Sequence, residues 1–450
     1  MSTRADLQVR PTPGLKARPT YKKTRTIGVR MNEALGRRLL GNLSAQAATF
    51  ALSTALGLTT TVVLARTLGP EGFGGFRFLF AFIYFFQAAN DLGINTTLVR
   101  SLAQAPDRAN QLVQNTLGFK VLLALASMAV AWMAAAWWPG FTTELRWSVA
   151  LFAVILPIQA MTLPIVTLQA NVQIARASIV EVFSRVTGFV GLMIAVTLGY
   201  GLLAVTGALI IGEIAGLAAV LVITRRFVVP VPAFDVATWK EVLRSSIPLG
   251  MSGLLASLVI RADFILLQVL LGPIGLTVVG YYATAYQVTS LFEKVPQFVM
   301  ATLYPVMSRL AGADPVALVA VYWRAVRHLT LIGVVVAALV IWLAPLAVWV
   351  LAGDGYEAAV LPLRILVLAT ACLYPAIVAG NLLIALGKAG RSLRLWAVAA
   401  PVNILLNLVL IPRYGAAGAA TATFISFFIV FVGAFLMARQ ELHAVVTARH

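Results

Sequence analysis

From residue 43 to residue 437 the chain alternates about a dozen apolar stretches of roughly 20 residues with short polar connections. About 20 apolar residues carry a helix across a bilayer core. The pattern predicts helices near 43–65, 78–99, 118–138, 147–168, 179–199 and 202–224, then a polar connector over 225–245. A second set is predicted near 246–271, 282–307, 329–350, 361–386, 393–411 and 416–437. The expected fold is an all-α polytopic membrane protein of about twelve transmembrane helices. The expected divisions are a basic tail at 1–42, a six-helix bundle at 43–224, the connector, a second six-helix bundle at 246–438 and a short tail at 439–450.

Composition agrees. Hydrophobic residues make up 60% of the 450 and charged ones 11%, and mean hydropathy is +0.92. A water-soluble fold carries about 25% charged residues and cannot hide so much apolar surface. The formal net charge of +18 would suggest nucleic acid in a soluble chain. Here the charge lies in connections and tails, so topology accounts for it, and no nucleic-acid partner is expected. Cys372 is the single cysteine, which excludes an intramolecular disulfide or a cysteine-rich metal site. No cofactor or metal is called for.

Residues 1–42 hold ten Lys and Arg among three prolines and read as a disordered cytoplasmic tail that touches anionic lipid. Later basic residues collect on alternate connections. One side has Arg100, Arg108 and Lys120, then Arg176, Arg225, Arg226, Lys240 and Arg244, and later Arg309, Arg324, Arg327, Lys388, Arg391 and Arg394. The other side has few. Lys and Arg mark the cytoplasmic face, so both termini are expected inside a multi-pass protein of the cell's inner membrane.

The chain also repeats itself. Leu68-Gly69-Pro70 follows the first predicted helix and Leu271-Gly272-Pro273 the seventh. Tyr200-Gly201 and Tyr414-Gly415 recur late in each half, as do the helix-ending Arg225 and Arg439. These last two pairs share one offset of 214 residues (414 − 200 and 439 − 225). Six helices per half, both starting on one side, make parallel repeats related by an axis along the membrane normal. Transporters of this plan hold substrate between the halves near the midplane.

Three stretches carry a family resemblance: LARTLGPEGFGGF (64–76) with DLGINTTLVR (91–100), RADFILLQVLLGPIGLTVVGYYATAY (261–286) with LYPVMS (303–308), and NILLNLVLIPRYGAAGAATATFIS (403–426). They resemble the oligosaccharide-lipid flippases of the polysaccharide transporter family, within the multidrug/oligosaccharidyl-lipid/polysaccharide (MOP) exporter superfamily. The resemblance implies two bundles in a V and translocation of a lipid-linked glycan in surface polysaccharide or lipopolysaccharide biosynthesis. The partners so implied are a polyprenyl-pyrophosphate-linked glycan, membrane lipids, a coupling H+ or Na+, and a polysaccharide polymerase with its chain-length regulator.

Charges inside apolar helices are costly and mark functional sites. Arg261 and Asp263 stand about 200° apart on one helix and cannot pair with each other. Arg261 is either a phosphate ligand, since guanidinium grips phosphate oxygens bidentately, or the ion-pair partner of Glu293. Lys294 is a second phosphate candidate. Glu293 and Asp263 are read as coupling or charge-balancing acids, with helix packing the alternative for Asp263. Glu213, alone in its helix, is paired across helices, protonated or a cation site. Arg66 and Arg77 bracket the turn after the first helix, either receiving pyrophosphate or standing as plain loop charges. Glu181 and Arg185 have the i, i+4 spacing of a structural pair. Asp91 reads as shaping a helix end, and Asn403 and Asn407 as bonding between helices. Pro296, beside the charges, is the hinge candidate.

The leading expectation is a flippase moving an undecaprenyl-pyrophosphate-linked oligosaccharide from inner to outer leaflet by alternating access, without covalent chemistry. The alternative is a cation-coupled antiporter of the multidrug extrusion type, kept open by the buried acids. A membrane-bound glycosyltransferase would want a large outer loop or a carboxylate-rich cytoplasmic site, and neither is present in the sequence.

Overall fold

The computed structural model describes the backbone of residues 21–138 and 140–447. It describes side chains from residue 45 onward, apart from a few positions within 248–256, 389–392 and 445–446. Among the described residues the elements are helices and short connections. Tyr21–Asp91 is helical except at Gly69, whose φ of 65° breaks it into α1 (21–68) and α2 (70–91). Ile94–Gln104 extends α2 past a left-handed Gly93. There follow α3 (Ala109–Trp137) and α4, built from the short pieces Thr143–Phe152, Ile155–Met161 and Val166–Ala170. Next come α5 (Ile174–Thr197), α6 (Leu202–Thr224) and α7 (Val236–Leu271). The helix α8 runs as Gly275–Phe292 and then Lys294–Ala313, and α9 and α10 are Pro315–Ala352 and Val360–Ala385. Gly415, with φ 55°, divides Ala389–Thr447 into α11 (389–414) and α12 (416–447).

Among the described residues nine stretches are long and apolar enough to span a membrane. Three of these, 45–104, 257–313 and 393–444, fold back at Gly69, Gly272 and Gly415, so nine stretches give twelve crossings. Each turn needs a left-handed residue that a side chain strains. Pro70 and Pro273 then restart a helix at a position where a missing N–H does no harm.

Two expectations are corrected. Residues 21–42 are helical and continuous with α1, and residues 1–20 of the expected tail lie outside the described residues. The connector is shorter than 225–245, because α7 starts at Val236. Asp235 caps that helix: its carboxylate accepts the amides of Ala237 and Thr238 and the Thr238 hydroxyl. Those bonds hold its carboxyl below the usual carboxylate range, the hydroxyl contributing most. The cap is therefore fully present above the ordinary carboxylate pKa and fades as pH falls through the lowered one.

The protein's outer surface matches hydrocarbon. Leu331, Val334, Val335, Trp342 and Leu346 of α9 are all more than half exposed. In lipid such a stripe has no reason to be covered, while every helix satisfies its own backbone.

The two halves meet at both ends. At the end bearing the Gly69 and Gly272 turns, α2 and α8 cross backbone to backbone. A Cβ on Gly74 would lie 1.8 Å from the Leu276 carbonyl oxygen, and one on Gly280 would lie 2.0 Å from that of Pro70. Tyr356 adds a hydrogen bond to the Ala65 carbonyl at 2.9 Å. At the connector end, a Cβ on Gly250 of α7 would lie 2.0 Å from the Leu92 carbonyl carbon, and Arg108 grips Glu241 through two nitrogens.

The glycine crossing gives a direct test. Gly280→Ala should cost about 1–3 kcal/mol of stability, since backbone cannot yield as a side chain does. Gly57→Ala, with nothing within 4 Å of the added carbon, should be neutral or slightly stabilising. Thermal unfolding of the two purified variants in detergent separates the outcomes.

Candidate functional site

Between the two fastenings lies a cavity of about 520 Å³. Its wall is mostly α2, α3, α4 and α6 of the first half, with α7 closing the other side at Gly250, Leu254 and Ser257. Polar groups enter it at helical spacing from α2, namely Tyr84, Gln87, Asn90 and Asp91, and across from them stand Gln159 and Glu213.

At the edge of this cavity the halves exchange cations. Arg261 of α7 lays its guanidinium over Tyr84 of α2, 4.9 Å from the ring centre. Arg77 of α2 reaches the other way, 5.8 Å from the Phe264 ring of α7, and donates to Gln287 Oε1 of α8 at 3.3 Å. A cation over an aromatic face is attracted by the ring quadrupole and keeps its N–H edge available. Both arginines are half-buried and lie close enough to act on each other through charge. The described residues form four ion pairs, and none includes Arg77, Arg261, Glu293 or Lys294. Glu293 and Tyr286 lie near Arg261, but the direct Arg261–Glu293 pair considered from sequence does not form. Lys294 is exposed, beside Glu293.

Arg77 is thus no loop charge, because it sits inside α2. Arg66 goes elsewhere. Its guanidinium donates to the carbonyls of Val350 (2.8 Å) and Trp349 (3.4 Å), the last turn of α9, where a cation suits the helix dipole. Glu181 and Arg185 do pair, at 3.0 Å.

Asp263 faces the opposite way from Arg261, into its own half. It is fully buried. Tyr282 and Thr423 (2.6 Å) donate hydroxyls to Oδ2, and Asn407 donates its amide to Oδ1 at 2.6 Å. Asn407 also bonds Asn403 at 3.0 Å. The interhelical bonding expected of these asparagines is made by Asn407, to Asp263, whereas Asn403 bonds only Asn407 of its own helix among the described residues. Two buried polar atoms of the group, Asn403 Nδ2 and Asn407 Oδ1, have no protein partner among the described residues.

Pro296 acts on α8 directly. Having no N–H, it leaves the Phe292 carbonyl without its i+4 donor. The Tyr374 hydroxyl of α10 takes that place at 2.9 Å, and the helix is interrupted at Glu293.

Sequence reading placed Lys120 in a connection. It is instead buried in α3, donating to Asp91 at 3.3 Å and Asn95 at 3.1 Å. Its flanking apolar run was the available signal. Tyr84, Gln87, Asn90, Gln159 and Thr423 were not singled out, since uncharged polar residues are common in membrane helices and only their convergence distinguishes them.

This architecture is that of an all-α polytopic membrane protein. The chain is similar to the inward-facing structure of a multidrug resistance MATE family transporter of the MOP superfamily (16% identity, TM-score 0.71, covering 88% of this chain and 96% of that one). It is similar also to the lipid II flippase MurJ in an inward closed conformation (13%, 0.74, 89% and 89%), and to an outward-facing MATE family transporter (17%, 0.60, 91% and 96%). A sequence profile described as polysaccharide biosynthesis protein matches residues 41–311, and the chain belongs to that family. No curated protein sequence matches it significantly.

The Pro296–Tyr374 arrangement predicts a coupled pair. Tyr374→Phe should destabilise by about 1–3 kcal/mol, because a buried carbonyl loses its donor. In the Pro296→Ala background, where residue 296 regains an N–H, the same change should cost much less. A double-mutant cycle on unfolding midpoints reads the difference.

Proposed function

We propose that the protein is a flippase for a polyprenyl-pyrophosphate-linked oligosaccharide, working by alternating access between its halves. One observation carries this reading: two guanidiniums, Arg77 and Arg261, lie at the half–half interface, each over a ring of the opposite half, and among the described residues neither is in an ion pair. Arginines left so in a membrane await an anion, and guanidinium suits phosphate oxygens geometrically. Because one comes from each half, a pyrophosphate bridging them ties head-group binding to the approach of the halves. The glycan then occupies the polar cavity while the polyprenyl chain stays in lipid. Lys294, exposed beside Glu293, would meet the phosphate on its route. Pro296 would serve as the bend that lets this end of α8 move.

The orientation follows from charge. The connector end, rich in Arg and Lys, faces the cytoplasm, so the Gly69–Gly272 end faces outward and loading occurs from inside the inner membrane. Family membership supports a role in supplying lipid-linked units to a polymerase for surface polysaccharide.

Asp263 is assigned to coupling. A carboxylate ringed by hydroxyl and amide groups, with no cation partner among the described residues, suits a proton or a sodium ion. It lies two residues from Arg261 on α7 and about 200° around it, so rotation or tilt of one helix links ion and lipid. The antiporter alternative needs an acid open to a cationic drug. Asp263 does not line the cavity and Asp91 there is paired with Lys120, which leaves Glu213 as the cavity acid that a cationic drug would meet.

Proteoliposomes carrying a fluorescent polyprenyl-pyrophosphate glycan test both assignments. Wild type should move the head group, and Arg77→Ala and Arg261→Ala should each slow this at least about tenfold, for loss of a charge-assisted bond. Asp263→Asn should leave lipid binding intact while removing dependence on the ion gradient. Gradient-driven efflux of a cationic dye without glycan movement would install the antiporter instead.

A further inference from the structure

The lining of the cavity says more than that a glycan fits. Three ionisable carboxylate or ammonium groups face it: Asp91, Lys120 and Glu213. Lys120 is committed, with its ammonium 3.3 Å from Asp91 and 3.1 Å from Asn95. Arg185 lies near Glu213, but it is not part of the lining and it already pairs with Glu181 at 3.0 Å. The arginines at the cavity edge lie at the half–half interface and are assigned above to pyrophosphate. The chamber proper therefore offers a sugar no uncommitted cation, and it offers one carboxylate outside an ion pair, Glu213.

What remains is amide and aromatic chemistry. Asn90 Oδ1 accepts from Ser127 at 2.9 Å and Asn95 Oδ1 from Lys120, so neither bond uses the NH2 group of these amides. Gln87 adds both donors and an acceptor, and Gln159, whose amide already bonds Glu213, adds its carbonyl oxygen. A sugar hydroxyl donates once and accepts twice, and an N-acyl group presents one N–H and one carbonyl, so carboxamides complement both. Tyr84 supplies a flat apolar face at the end nearest Arg261.

We infer that the head-group chamber selects an uncharged glycan, built of neutral or N-acylated sugars, and rejects one that carries a carboxylate near the pyrophosphate. The inference rests on the flippase reading. It deepens it by dividing the labour: the interface holds phosphate, the first half reads sugar, and the second half holds the ion. A uronate in the chamber would bring a second unpaired carboxylate beside Glu213, with Asp91 already balanced by Lys120, in a site of low dielectric where like charges repel strongly.

The test is equilibrium binding to the full chain in nanodiscs, with three lipids: polyprenyl pyrophosphate, its glucosyl derivative and its glucuronosyl derivative. The last two differ only at C6. Wild type should bind the glucosyl lipid about tenfold more tightly than the glucuronosyl one. Glu213→Gln should shrink that ratio to about threefold or less. Asp91→Asn should strengthen glucuronosyl binding specifically, because it frees the Lys120 ammonium to meet the sugar carboxylate, a gain that mere structural damage does not produce. Equal or tighter binding of the glucuronosyl lipid by wild type overturns the selectivity and leaves the flippase standing. Failure of all three lipids to bind a folded protein overturns the flippase reading and this inference together.

Discussion

A charge placed in hydrocarbon has to find a partner, face water or await a ligand, and the helix α7 meets that constraint twice within three residues. Asp263 turns into its own half and is ringed by Tyr282, Asn407 and Thr423. Arg261 turns outward to the other half and rests on Tyr84. An α-helix separates residues two apart by about 200°, so the same backbone presents an anion-seeking face and a cation-seeking face without letting them neutralise each other. Most of the remaining architecture serves to keep those faces apart and supplied. The helices α11 and α12 bring donors to one side, while α2 brings an aromatic and a second arginine to the other.

The close glycine crossings set where the halves can move. Backbone contact at Gly74 and Gly280 on one end, and at Leu92 and Gly250 on the other, fastens the interface at its two extremities and leaves the polar cavity between them. Contacts made by backbone are short and shape-specific, so they hold or release without intermediate positions, in the way packed interfaces are bistable. Arg66 on the last carbonyls of α9 and Tyr356 on the Ala65 carbonyl add directional bonds at the same end as Gly74 and Gly280. The bend at Pro296 lies in α8, the helix that also carries Gly280.

The division of chemistry between the halves is uneven although the backbone plan repeats. Gly69 and Gly272 adopt matching left-handed turns, yet the Asp263 cluster belongs to the second half and the Lys120–Asp91 pair, with the amides around it, to the first. A repeated scaffold can diverge in this way because its helices are held by apolar packing and small residues at crossings. Inward side chains are free to specialise once backbone bonding is satisfied within each helix.

The sequence by itself determined the fold class, the number of crossings and which charges lie inside the apolar spans. Hydrocarbon imposes one length and one polarity on each span, and a buried charge cannot be concealed in such a background. The LGP turns and the Arg261–Asp263 divergence were likewise legible, because they depend on local backbone geometry alone. Tertiary structure decided everything that depends on which faces meet. It moved Arg77 from a loop into the interface, sent Arg66 to a helix terminus, buried Lys120 against Asp91, left Arg261 and Glu293 without a direct pair, and gathered unremarkable amides around one cavity. Those outcomes rest on pairings between residues far apart in the chain, such as Asp263 with Thr423 or Tyr374 with Phe292. Spacing along one helix fixes the direction in which a side chain leaves the axis, and only the packing of the other helices fixes what it meets there.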